Sequence, residues 1–234
     1  MNAPVKSFLK NLPPPNGSLE YSTEFKGVFP QAIQKISRPH FGSMERERFV
    51  AYAWESTTLM GMILDVGCGT RKVEAGAVGI DVSPRSGADV IWDLDQFPWP
   101  LESDAFERVH MSHIIEHVKD IPRTMEEVHR VARAGAEVLV VTPHYSSHNS
   151  YTDPTHRWHL AGRSFAYFSG EDFASFTGSR VAFEVVDVEL TFGGNVLLDG
   201  VGKWLARRNL EWYERHAAWW FPALDIRCRL RVRK

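Results

Sequence analysis

The chain has 234 residues, 44% hydrophobic content and a formal net charge of −2 at pH 7, which fits one domain with appendages and an ordinary core. The near-neutral balance excludes bulk electrostatic attraction to nucleic acid or to anionic membranes. Two cysteines 160 positions apart, Cys68 and Cys228, argue against a disulfide framework, and the lack of 18 consecutive apolar residues argues against a helical membrane span. The opening "MNAPVKSFLKNLPPPNG" lacks the continuous apolar stretch of a signal peptide, so a cytoplasmic protein is expected.

Along the chain, "LPPPNGS" reads as an extended arm. Residues 43–58, "SMERERFVAYAWESTT", predict a helix with Ser43 as N-cap. Short apolar runs ending in acids or glycines then predict four strands: "MILDVG" (62–67), "AVGIDVS" (77–83), "ADVIWDLD" (88–95) and "FERVHMS" (106–112). A helix follows, with Pro122 in its first turn, Gly135 just past its end, and Met125, Val128 and Val131 or Ala132 on one face. "AEVLVVTP" (136–143) is a fifth strand, and the set argues for a parallel sheet covered on both faces. Beyond it lie a short helix start at Ser169 with Asp172 as capping partner, an alternating strand at 181–192, and a helical region at 202–222 ended by Pro222. "DIRCRLRVRK" (225–234) alternates apolar and basic residues, as a half-exposed strand at or near a sheet edge would.

"ILDVGCGT" (63–70) is the strongest chemical signal. A strand ends at Asp65, and Gly67 and Gly69 let the backbone turn tightly beneath a ligand. The dinucleotide fingerprint requires a third glycine where Lys72 stands, and the carboxylate of Asp65 would repel a diphosphate. A ligand carrying a positive amine suits it better. Here the chain resembles the class I S-adenosylmethionine-dependent methyltransferases. "DVGCGT" resembles their first motif and "GIDVSP" (79–84) their second; "DVIWDLDQFPWPLESDAFERVHMSHIIEHV" (89–118) resembles the third and fourth motifs of the type-11 group. The resemblance implies an α/β fold, a Rossmann-like seven-stranded sheet with one antiparallel strand and helices on both faces, and S-adenosylmethionine as cofactor. It also implies roles: Asp65, Gly67 and Gly69 in the cofactor loop, Asp81 on the ribose hydroxyls, Asp93 and the Leu94 backbone at the adenine amine, and Ser112 and His113 under the methionine part. One departure stands out. Only 15 residues separate Asp65 from Asp81, so the usual helix between those strands shrinks to about one turn at most, with Arg71 near the cofactor carboxylate or solvent.

"HIIEH" (113–117) formally matches a metalloprotease pattern. Its place after the fourth strand of a cofactor-binding sheet speaks against that, and local hydrogen bonding is expected of Glu116 and His117. The stretch "TPHYSSHNSYTDPTHRWH" (142–159) starts where the fifth strand ends, on the side of a parallel sheet where ligands gather. "TDPTH" followed by "SFAYFS" resembles small methyltransferases associated with sugar or glycan pathways. Three readings of this stretch compete. His144, Asp153 and His156, with His113 facing the same pocket, form an acid/base or substrate-anchoring group. Alternatively His144, His148, Asp153 and His156 hold a divalent metal. Alternatively Asp153 caps a turn stiffened by Pro154 and the histidines satisfy backbone groups. Tyr145, Arg157 and Trp158 are candidates for the acceptor pocket, Arg157 suiting an acidic acceptor.

The expected organisation is an N-terminal arm and helical cover (1–58) and a methyltransferase domain (59–234) with an acceptor-side insertion at 142–170. The expected reaction moves a methyl group to a small molecule, at an oxygen of a sugar or secondary metabolite. A metal-dependent variant and a cofactor-binding module without transferase activity are the alternatives. The tryptophan-rich 202–222 segment is read as a helix packed on the sheet, with a homodimer surface or a lid as alternatives.

Overall fold

Short segments rich in apolar residues build one sheet. A computed structural model of the protein describes residues 62–169, 181–194 and 196–234. The strands are β1 (Ile63–Val66), β2 (Val78–Asp81), β3 (Val90–Ile91), β4 (Phe106–Ser112), β5 (Ala132–Pro143), β6 (Ala182–Leu190) and β7 (Asp225–Arg233). Their order is β3-β2-β1-β4-β5-β7-β6. β1 to β5 run parallel to one another, and β7 is antiparallel to both β5 and β6. The first five strands therefore finish at the same edge, and every loop that follows one starts there. All four residues of β1 are buried, as a central parallel strand covered on both faces requires.

The helices are α1 (Ile121–Val131), α2 (Asn149–Thr152), α3 (Val196–Arg208) and α4 (Leu210–His216), with a 3-10 helix over Gly162–Ser169. Asp120 starts α1, its carboxylate accepting from the Arg123 amide, with Pro122 in the first turn. Met125, Val128 and Val131 are fully buried on one face; burying each contributes about 1.5–3 kcal/mol.

Several boundaries differ from expectation. Gly135 does not cap α1: it lies inside β5 with φ of 78°. The last carbonyls of α1, those of Arg130 and Val131, accept instead from the amides of Asp104 and Ala105, so no left-handed cap is required. β3 shrinks to two residues, because Trp92 donates to the Asp81 carbonyl and the chain then turns at Asp93. The 202–222 helical region begins earlier and breaks at Asn209, which caps α4 by accepting from the Trp212 amide; α4 then stops at His216, before Pro222. β7 lies one strand in from the edge. Its Arg229 and Arg231 pair with Asp187 and Glu184 of β6. The connection from β1 to β2 holds only turns and bends, as its length predicts. The tryptophan-rich segment packs through Tyr213, Ala217 and Ala218, while Trp204, Trp219 and Trp220 are 65%, 67% and 78% exposed. Most of its indole surface therefore does not reach the sheet. The expected Ser43 helix, the 1–58 cover and Asp172 lie outside the described residues. Among those described, no helix is long and apolar enough to cross a membrane.

Candidate active site

The glycine loop is shaped from β1. Gly67 takes φ of 68°, and a Cβ there would stand 2.5 Å from the Ile114 side chain; only glycine satisfies both constraints. Gly69 also has positive φ, 56°, but open space where its Cβ would be. The loop is tied from below and across. Asp65, almost fully buried, accepts from the Val73 amide at 2.6 Å, and His110 Nδ1 lies 3.5 Å from its other oxygen. Asp81, at the end of β2, accepts from the Gly69 amide at 2.9 Å and the Ser83 amide at 2.8 Å. The result is a half-buried carboxylate beside an uncovered stretch of glycine backbone. Such a cradle fits a nucleoside carrying vicinal hydroxyls. Asp93 bends its own loop by accepting from the Asp95 amide, and Leu94 is buried with its carbonyl bound by the Trp99 indole.

β4 delivers Ser112 and His113 to the same edge. His113 has φ of 52°, and its half-exposed ring sets Nδ1 3.4 Å from Oε1 of the buried Glu116. The Glu116 carboxylate beside it raises the His113 pKa, against the opposing effect of partial burial. Glu116 also accepts from the Thr142 hydroxyl at the end of β5 through Oε2. Residues 113–118 form turns, not a helix. The helical spacing that a metalloprotease motif relies on is therefore missing.

The histidine-rich stretch divides in two. His144 points inward and has no exposed surface. Its Nδ1 accepts from the Ser146 amide and faces the Ser146 hydroxyl at 2.7 Å. The proton then belongs on Nε2, which looks toward Glu214 of α4 at 3.6 Å. Glu214 in turn accepts from the Gly162 amide, and the Tyr145 hydroxyl donates to the Glu214 carbonyl. His144 and Tyr145 thus join β5 to α4.

The outer half is different. Asp153 is exposed and accepts from both the amide and the hydroxyl of Thr155, which holds its carboxyl below the usual range. His156 Nε2 lies 4.0 Å from Asp153, and its Nδ1 meets the Ser150 carbonyl at 3.2 Å. The expected trio of His144, Asp153 and His156 does not assemble: the last two are together and His144 is in the core. Nor does the expected metal set, since His148 is exposed at the start of α2 and His144 is committed elsewhere. His159 bonds the Ser150 hydroxyl and stacks on Tyr151. The Arg157 amide donates to the Glu116 carbonyl, and the Trp158 indole donates to the Val118 carbonyl. These two bonds pin the outer loop onto residues 113–118. His117 and its contacts with this loop were not expected from the sequence. The available signal was that "HIIEH" and "TDPTH" follow adjacent parallel strands.

A family model described as a methyltransferase domain matches residues 39–188. The chain belongs to this family. It is a class I S-adenosylmethionine-dependent methyltransferase. A curated relative, the 2-phytyl-1,4-naphtoquinone methyltransferase of Nostoc punctiforme, is 27% identical over 92 residues, covering 34% of this chain and 40% of the relative. The match thus spans less than half of that relative's length. Among solved structures, a methyltransferase from Mesorhizobium loti shows 17% identity and a TM-score of 0.47, covering 76% of this chain and 96% of its own. One from Archaeoglobus fulgidus shows 17% identity and a TM-score of 0.43, covering 80% and 91%. The methyltransferase has its parallel strand ends, its glycine loop and Asp81 on one side of the sheet, where open α/β sheets take their ligands.

Proposed function

We propose that this methyltransferase transfers a methyl group to an oxygen of a small molecule, a hydroxyl or acidic oxygen of a sugar or secondary metabolite. The observation that carries the reading is the pairing of the uncovered Gly69 backbone with the Asp81 carboxylate, one β-strand from a histidine backed by a buried glutamate. Asp81 would accept from the ribose hydroxyls, with Asp93 and the Leu94 backbone toward the adenine amine and Ser112 under the methionine part. Asp65 acts indirectly, by fixing the loop. When bound, S-adenosylmethionine supplies a methyl group on a positively charged sulfonium.

His113 is the histidine suited to the acceptor. Its Nδ1–H faces Glu116, which leaves Nε2 to take the proton of an acceptor hydroxyl. Arg157, exposed on the outer loop, suits an acidic group on the same acceptor. In this reading the 142–170 segment is the acceptor side of the domain, residues 1–58 are its cover, and the enzyme works in the cytoplasm.

Calorimetry with S-adenosylmethionine and with its demethylated product tests the cofactor site. Asp81→Ala should weaken both by at least about tenfold, the loss of a charge-assisted bidentate contact. Unchanged affinity would remove Asp81 from the site. His113→Gln should leave those affinities intact and lower kcat by about 10²-fold or more with any accepted substrate.

A further inference from the structure

Glu116, His117 and His156 come together where the loops after β4 and β5 meet. Each offers a donor atom, and the three atoms lie within 4.8 Å of one another. The two rings meet edge to face with centroids 4.7 Å apart. Among the described residues this is the only group of three or more histidine, cysteine or carboxylate side chains so disposed.

Hydrogen bonding fixes what each ring presents. The Thr155 hydroxyl has one proton, and it goes to Asp153 at 2.6 Å. The same oxygen lies 3.0 Å from His117 Nδ1 and can therefore only accept there, so His117 Nδ1 carries a hydrogen. His156 Nδ1 faces a backbone carbonyl, that of Ser150, and must donate as well. In the neutral rings, both Nε2 atoms are left as bare lone pairs. This is the arrangement by which a carboxylate or carbonyl behind an imidazole prepares it to ligate a metal. Asp153 through Thr155 serves His117, and the Ser150 carbonyl serves His156.

The third member supplies an independent sign. Glu116 is 1% exposed, and its Oε1 finds no hydrogen-bond partner of good geometry; His113 stands 3.4 Å away. A buried carboxylate oxygen with unused lone pairs is costly unless something positive meets it. His117 and His156 each bring a ligand atom within 4.8 Å of one of the Glu116 carboxylate oxygens. One cation can be shared by all three.

We propose that Glu116, His117 and His156 form a binding site for a divalent first-row transition ion, with zinc the best match to two imidazoles and one carboxylate. Three protein ligands leave coordination positions open. The site shares Glu116 with His113, so an ion there would hold the acceptor's oxygens beside the proton-accepting ring and favour the deprotonated form of a hydroxyl. That use rests on the methyltransferase reading above; the binding of the ion does not.

The test uses the full chain stripped with a chelator and dialysed, titrated with Zn²⁺ by calorimetry and with Co²⁺ by its visible absorption. One equivalent should bind. His117→Ala and His156→Ala should each weaken binding at least tenfold. Thr155→Val, which keeps all three ligands but removes the support behind His117, should weaken it by about 10–100-fold. His148→Ala should bind like the unaltered chain. No uptake of either ion by the unaltered protein would overturn the proposal, as would uptake unchanged in the His117→Ala, His156→Ala double variant. S-adenosylmethionine affinity is measured on every sample. Intact cofactor binding without metal binding defeats this site alone, whereas loss of cofactor binding in the unaltered chain defeats the cofactor reading.

Discussion

His144 illustrates how burial decides a histidine's work. Its ring is sealed between the Ser146 hydroxyl and Glu214, so its contribution is to hold β5 against α4. Replacing it with alanine leaves a cavity and frees the Ser146 amide that its Nδ1 accepts from, a loss of about 2–4 kcal/mol. Urea denaturation of His144→Ala should show that loss, while the folded variant keeps its S-adenosylmethionine affinity. Unaltered stability with collapsed turnover would return His144 to the chemistry. The two thiols obey the same rule. Burial, aided by Asp65 and Asp81, pushes Cys68 up to about 11, and burial pushes Cys228 up to about 12. A group so raised is neutral until the pH climbs through its folded value. At pH 8 only about one thiol in a thousand is ionised at Cys68, and fewer at Cys228. Disulfide reagents should therefore label neither in the native state, and both after unfolding. Rapid labelling of native Cys68 would show that the glycine loop opens.

At the scale of elements, the sequence exposed what depends on neighbours a few residues apart. Apolar runs of four to seven residues located β1, β2 and β4; Asp81 ends β2, whereas β1 runs one residue past Asp65, to Val66. Pro122 marked the start of α1, and Asp120→Ala should lower stability by about 1 kcal/mol by freeing the Arg123 amide; a change below about 0.3 kcal/mol would mean that the Thr124 bond to the Asp120 carbonyl suffices. What stayed hidden depends on pairing across the sheet. Gly135 looked like a helix end because nothing local says that the turn leading into β4 supplies partners for the last carbonyls of α1. The meeting of His117 with Thr155 spans 38 positions. It exists only because β4 and β5 are adjacent and parallel, so that their following loops leave from one edge. The inward turn of His144 is likewise set by α4, which arrives some 70 residues later to receive Tyr145 and face His144.

The described fold from residue 62 onward rests on a sheet whose last strand in sequence, β7, is interior in space. Leu230 is fully buried and flanked by β5 and β6. Leu230→Ala should cost about 3 kcal/mol in chemical denaturation. Arg229→Ala, on the solvent face of the same strand and paired to Asp187, should cost under about 1 kcal/mol because exposed ion pairs are weak. Equal losses would mean that the charged ladder between β6 and β7, not the apolar face, secures this end of the sheet.

The position of β7 also sets an order of events during synthesis. β6 leaves the ribosome first, yet among the described strands its sole neighbour is β7. Until residues 225–233 follow it out, β6 has nothing to pair with and the free side of β5 stays uncovered. For that interval the nascent chain carries two open strand edges, the feature that invites wrong partners. A ribosome pausing within the α3–α4 region would prolong the interval, so the codons of residues 196–216 bear on how much of this enzyme a cell recovers in folded form.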